Sequence, residues 1–268
     1  MRKNAWVICC CTAVLAAFGT FFRWLQDQVC FEANTGLAVR GSIWPYAVAL
    51  MIVIAAVVLA VVCFRMKNQP HTSFPDSLPA AFVAAPRVRT IGGVVLGALL
   101  AVGGAWPMIS SGTLSSPGLQ RVLAALTIVT GAAFIWQMLS IGDGETTSGT
   151  VVCASMPIVL LAFWLIVSYK VNIINPTVSA YAVEILALCA ALIASYEFAG
   201  FAYGRPKAIK SIFWSQFAAF LCITALPDDR AGGQQLMLAA IAGILLFQSY
   251  LTASNIRPAV SGPVGGAQ

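Results

Sequence analysis

Charge is scarce in this 268-residue chain: Asp, Glu, Lys and Arg together make up 9% of it, against roughly 25% in an ordinary soluble domain. A chain so short of charge cannot cover a water-exposed surface, which excludes a soluble globular protein and a disordered one alike. Histidine occurs once, at His71. No His-Glu-x-x-His, Cys-x-x-Cys or Cys-His spacing occurs, so no metal site is expected. The eight cysteines include the consecutive Cys9, Cys10 and Cys11. Cys63, Cys153, Cys189 and Cys222 fall in apolar runs as small fillers, and Cys30 is read as a lone external thiol. Also missing are a Gly-x-Ser-x-Gly elbow, a phosphate loop and a helical pair of carboxylates. The chain is therefore read as non-enzymatic and without a cofactor. No basic patch with interleaved aromatics is present, which argues against nucleic acid.

What is abundant is apolar sequence: 60% of residues are hydrophobic and the mean hydropathy is +0.88. Hydrocarbon about 30 Å thick takes about 20 helical residues to cross. Eight runs of that order emerge, near Asn4–Gln26, Ser42–Phe64, Thr90–Ser110, Leu119–Ile141, Val151–Lys170, Ser179–Tyr203, Lys210–Leu226 and Gln235–Ser254. None alternates with a period of two, so an outer-membrane barrel is excluded. The expected fold is an all-α polytopic bundle forming one transmembrane domain over residues 1–256. The first run, continuous through Phe22 without a small-x-small cleavage site, is kept as a span rather than a signal peptide.

Orientation follows from Lys and Arg near the span ends. With a cytoplasmic N-terminus, Arg2, Lys3, Arg65, Lys67, Arg87, Arg89, Arg205, Lys207, Lys210 and Arg257 lie inside. Arg23, Arg40, Arg121, Lys170 and Arg230 lie outside. Both termini are thus expected in the cytoplasm, and the +6 net charge is expected to meet anionic lipid head groups.

Two connections are long. Arg65–Arg89 carries Pro70, Pro75, Pro79 and Pro86, a content that argues against an internal helix and for a stiff linker. Asp27–Gly41 is long enough for a surface turn near the bundle mouth. Asp228-Asp229-Arg230, after Pro227, reads as a solvated turn. Gly142-Asp143-Gly144-Glu145 lacks the further ligands of a calcium loop. Residues 257–268 read as a disordered cytoplasmic tail.

Ionisable groups within spans are costly and face the bundle interior or an aqueous cavity. Glu184 and Glu197 share the sixth run; 13 residues apart, they stand about 140° from each other around a helix, too far to pair. Glu197 shares a face with Ala190, Ala194, Gly200 and Gly204, which suits close helix packing. At similar depth lie Gln137, Gln216 and Gln248, so the four form a candidate polar binding cluster on the cytoplasmic side. Read blandly, they are hydrogen-bonded glue between helices. Towards the outside, Arg23 and Glu184 form a candidate intramembrane ion pair, set against a version in which Arg23 snorkels and Glu184 meets Tyr181 or a loop group. Gly93, Gly97 and Ala101 make a small-xxx-small ridge, and Pro157 falls in the first turns of the fifth span.

Two segments, Phe22-Arg23-Trp24-Leu25-Gln26 with Phe31-Glu32-Ala33-Asn34-Thr35-Gly36-Leu37, and Glu184-Ile185-Leu186-Ala187-Leu188 with Ala199-Gly200-Phe201-Ala202-Tyr203-Gly204-Arg205-Pro206-Lys207, resemble uncharacterised multi-spanning membrane proteins of anaerobic Gram-positive bacteria. The resemblance implies a bacterial plasma membrane and transfers no ligand or active-site residue. Two function classes therefore stand. One is binding, scaffolding or regulation, with an unidentified protein partner allowed. The other is transport of a small solute or lipid through the polar cluster.

Overall fold

The computed structural model describes residues 2–30, 41–68, 72–82, 86–109, 117–141, 147–173, 178–228 and 230–258. Its long helices are α1 (Arg2–Val29), α2 (Trp44–Lys67), α4 (Pro86–Ile109), α5 (Pro117–Ser140), α6 (Ser148–Asn172), α7 (Val178–Ala202), α8 (Ala208–Thr224) and α9 (Gly232–Ser254). The short α3 (Leu78–Phe82) interrupts the second connection. Among the described residues seven helices are long and apolar enough to cross a membrane, and α8 is a shorter apolar one. The chain is an all-α, multi-pass integral membrane protein. Its outer surface agrees: Leu50, Val53, Val57 and Val61 of α2, and Ile91, Val95 and Val102 of α4, stand exposed in rows. Such apolar faces suit lipid, and helices satisfy their own backbone there.

Each long helix lies within a few residues of its sequence-derived span, because a helix ends where apolar side chains give way to Pro, Gly or charge. Their neighbours could not be read that way. Helices α4, α5, α6, α7, α8 and α9 form a closed ring in which each packs on the next and α9 returns to α4, while α1 and α2 pack outside it, on α8 and α9. The start of α1 meets the end of α9, Trp6 lying edge-on to Tyr250 with ring centroids 5.7 Å apart. The start of α1 and the end of α9 therefore share one face, here the termini face; the other is the distal face.

Glycine sets the tightest seam. A Cβ on Gly97 would stand 2.8 Å from the Gly131 carbonyl oxygen of α5, and one on Gly131 would stand 2.5 Å from the Gly97 carbonyl. The Gly93–Gly97–Ala101 ridge thus lets two backbones touch, as small residues at such spacing do. Pro157 lies inside α6, which continues unbroken from Ser148 to Asn172. Helix α7 ends at Ala202, and two residues on Gly204 turns the chain with a φ of +68°, the left-handed conformation that glycine adopts without steric cost.

Helix α8 is the most enclosed, with every residue from Ser215 to Cys222 buried. Its 17 residues span about 25 Å at about 1.5 Å per residue, short of the hydrocarbon thickness. It can be short because the chain from Ala225 to Asp228 turns inside the protein. Irregular backbone at such depth needs partners: Arg230 Nη1 donates to the Ala225 carbonyl at 2.9 Å and Gln235 Nε2 to the Asp228 carbonyl at 3.3 Å.

The proline-rich connection departs from its reading as a bare linker. Residues 78–82 form α3, and Leu78, Ala81 and Phe82 are buried. Pro79 is tolerated because the first helical turn needs no N–H from it. Before it, Thr72–Ser73 (β1) pair antiparallel with Arg257–Pro258 (β2), so the first two residues of the expected tail are ordered in a ladder. Residues 259–268 lie outside the described residues. The strap holds α3 across the end of the ring: Phe82 packs edge-on against Phe198 of α7, ring centroids 5.4 Å apart, and Asn255 Nδ2 donates to the Ala81 carbonyl at 2.5 Å.

Candidate functional site in the helix ring

Near the distal face, Arg23 and Glu184 belong to one buried chain of charges. Arg23 Nε lies 2.7 Å from Asp228 Oδ1, Asp228 Oδ2 lies 2.6 Å from Arg230 Nη2, and Arg230 Nε lies 3.2 Å from Glu184 Oε2. Arg23 also reaches Asp27 at 3.9 Å and donates from Nη1 to Gln26 Oε1 at 2.9 Å. Glu184 accepts from Ser168 Oγ at 3.1 Å. The two sequence candidates are thus joined through Asp228 and Arg230, whose side chains are each 8% exposed. The solvated turn expected at Asp228 and Arg230 is instead an ionic plug. It is buried because α8 stops early and the turn sinks between α1, α7 and α9. Two cations and two anions alternate along the chain, so each charge faces an opposite one, the arrangement that makes burial bearable. Cys30 is likewise buried, its thiol against Ser42 Oγ, rather than a lone external group.

At the other end of the ring the four-residue cluster is divided. Gln216 Nε2 donates to Ser249 Oγ at 2.9 Å and to Cys9 Sγ at 3.4 Å, which places it in the seam of α8, α9 and α1. Glu197 is half-buried, at the margin of α7's buried face rather than its centre, with no hydrogen bond or ion pair among the described residues. Gly200 and Gly204, expected to seat a neighbouring helix beside it, instead shape the end of α7: Arg205 N donates to the Gly200 carbonyl at 2.8 Å. Gln248 is buried. Its neighbour Phe247 touches α4 at Gly92 and its other neighbour Ser249 touches α8, so Gln248, between them at about 100° from each, points into the ring. Gln137 is 1% exposed, and its Nε2 has no partner.

By sequence Arg89 is only one of several positive charges near a span end. In the structure it is 7% exposed. Gly92 and Gly103 of α4 face α9, and Gly93, Gly97 and Gly104 face α5. Arg89 lies on the helical face between these two rows, with fully buried Leu100, opposite the lipid-facing Ile91, Val95 and Val102, so its side chain enters the ring. The available signal was its position four residues before Gly93, on the ridge already marked by Gly93 and Gly97. Arg89 Nη1 reaches the Phe82 carbonyl at 3.4 Å, a long bond, and its Nε has no partner.

Ser215, 1% exposed, also leaves its Oγ unpartnered. It precedes Gln216, on the side of α8 away from the α1 contacts of Phe220 and Thr224. Contacts fix a common level for these groups: Met138, beside Gln137, meets Gly93; Phe247, beside Gln248, meets Gly92; and Ser249 meets Gln216, beside Ser215. Arg89 lies about one turn nearer the termini face.

No family model matches the chain, and comparison with curated proteins and with solved structures finds no match. The site stands on its own geometry. Among the described residues no group of three or more His, Cys, Asp or Glu could hold a metal ion. His71, Asp143 and Glu145 lie outside the described residues. What the ring interior offers near the termini face is hydrogen-bonding capacity, mostly donors, left unused between apolar walls and covered by α3.

Proposed function

We propose that this protein is a non-enzymatic binding protein of the plasma membrane that holds a small polar solute inside its helix ring, near the termini face. The termini are cytoplasmic in this reading, supported by the concentration of Lys and Arg on their side. The observation that carries it is three of the four buried, unpartnered polar atoms among the described residues, Arg89 Nε, Gln137 Nε2 and Ser215 Oγ, the fourth being Gln216 Oε1 in the α1–α8–α9 seam. Buried polar groups are nearly always satisfied, and an unmade bond in a low-dielectric interior costs about 1–3 kcal/mol. Three at one end of one ring suit a site completed by a bound molecule.

The test is native mass spectrometry of the full chain in nanodiscs, wild type beside Gln137→Leu/Ser215→Ala. A non-covalent adduct carried by the wild type and lost from the double variant supports the reading. Bare protein in both spectra sinks it.

Transport is the second reading, favoured by the closure of both ends: α3 covers the ring at the termini face, and the Arg23–Asp228–Arg230–Glu184 chain ties α1, α7 and the α8–α9 turn at the distal face. The two closures differ in kind. The ionic one is deeply buried, whereas α3 is a five-residue helix held by a strap and a few side-chain contacts. Entry from the termini face is therefore the easier route.

A further inference from the structure

We infer that the group taken into the ring is an oxyanion, a carboxylate or phosphate, seated on the open edge of Arg89 beneath α3. This rests on the binding reading above and names its ligand class.

Arginine has five N–H donors, no acceptor and a charge that stays on. Burying it without a counter-ion is among the costliest arrangements a protein can hold. The ion pairs of the described residues lie near the distal face, at Arg23, Asp27, Glu184, Asp228 and Arg230. None involves Arg89. On the helices around it, α5 and α9 carry no acidic residue, and α7's Glu197 is only half-buried and makes no ion pair. Arg89 Nη1 turns towards the Phe82 carbonyl, leaving Nε on the edge where a carboxylate or phosphate binds through two parallel N–H···O bonds. The other two unpartnered atoms on the ring side agree, the acceptor Gln216 Oε1 belonging to a side chain in the seam of α1, α8 and α9. Gln137 Nε2 is a donor, and Ser215 Oγ can be one. Arg89 also sits in the first turn of α4, where the helix dipole favours negative charge. A cation would meet donors and a like charge here; a neutral solute would leave the guanidinium uncompensated.

The oxyanion has two sources, a free solute or the phosphate of a lipid head group reaching in past α3. Both are addressed with the full chain in nanodiscs of zwitterionic phosphatidylcholine, with and without phosphatidylglycerol, titrated with inorganic phosphate and read by native mass spectrometry. Wild type, Arg89→Gln and Arg89→Lys are compared, with helical circular dichroism and gel-filtration volume as folding controls. Arg89→Lys keeps the positive charge but loses the fork, so it stands in if Arg89→Gln does not fold. The expected result is a phosphate or phosphatidylglycerol adduct on the wild type, weakened about 10- to 100-fold in Arg89→Gln, as for loss of a charge-assisted hydrogen bond, and to a smaller extent in Arg89→Lys. An adduct that appears with added phosphate alone makes the ligand a free solute; one that needs phosphatidylglycerol makes it a lipid. An adduct that contains no carboxylate or phosphate, or that survives both Arg89 variants unchanged, overturns the oxyanion while leaving the binding reading intact. Bare protein under every condition overturns both.

Discussion

Arg23 of α1 and Asp228 of the α8–α9 turn are 205 residues apart in sequence and 2.7 Å apart in space. This contact ties the first helix, outside the ring, to the turn that closes the ring's distal face. It also explains how a polar turn can lie between apolar helices, since its carboxylate is neutralised from both sides by Arg23 and Arg230.

Removing one partner should therefore be far more damaging than removing a pair. Asp228→Ala leaves two buried guanidiniums facing each other, and the expected loss is about 3–5 kcal/mol. The combined Arg23→Met/Asp228→Leu change should cost less than Asp228→Ala alone. Thermal unfolding in a single detergent, followed by circular dichroism, measures both; equal losses would show that the network carries no charge coupling.

The glycine seam makes a second contrast. Gly97→Ala sets a methyl 2.8 Å from a backbone oxygen, where α4 and α5 must part, and should cost about 1–3 kcal/mol. Gly118→Ala, with nothing within 4 Å of the added carbon, should be neutral or stabilising by up to about 1 kcal/mol. The same melting assay ranks them, and a destabilised Gly118→Ala would contradict the packing described.

Gln216 and Ser249 should respond unequally. Ser249→Ala removes the acceptor of a buried amide whose Oε1 already lacks a partner and should cost about 1–3 kcal/mol. Gln216→Leu removes the orphan oxygen together with the donor, so the change should stay within about 1 kcal/mol. Chemical unfolding curves of the two variants decide the order.

Asn255 tests how α3 is held. Its Nδ2 bonds the Ala81 carbonyl of α3 and, at 3.0 Å, its own helix at the Leu251 carbonyl. Asn255→Ala should speed hydrogen exchange at the amides of residues 78–82 by about 3- to 10-fold, the equivalent of one ordinary hydrogen bond, without altering exchange at α8. Unchanged exchange at α3 would mean that the strap, the Phe82–Phe198 contact and Arg89 hold it without Asn255.

The helical spans were legible because the requirement acts on each segment separately. In hydrocarbon every backbone N–H and C=O must be bonded within its own helix, so any run of about 20 apolar residues declares itself. The glycine ridge on α4 was legible for a similar reason, since small residues every four positions have a packing meaning before the partner is known. Sequence also marked Arg23 and Glu184 as costly charges needing partners, and Gln137, Gln216 and Gln248 as polar groups at one depth.

Which side chains meet was decided by the tertiary structure. Asp228 and Arg230 stand in a stretch whose composition suits a surface turn, and they are buried only because α8 ends early and α1 lies alongside. Arg89 has the sequence surroundings of any charge at a span end; it is enclosed because the glycines beside it bring α5 and α9 in on both sides, with α3 folded beneath. Gln216 left the expected cluster because its partners, Cys9 and Ser249, come from helices far away in sequence. Hydropathy is a property of a segment and survives in the linear code. Pairing depends on which helices become neighbours, and that is settled by the shapes of many surfaces at once.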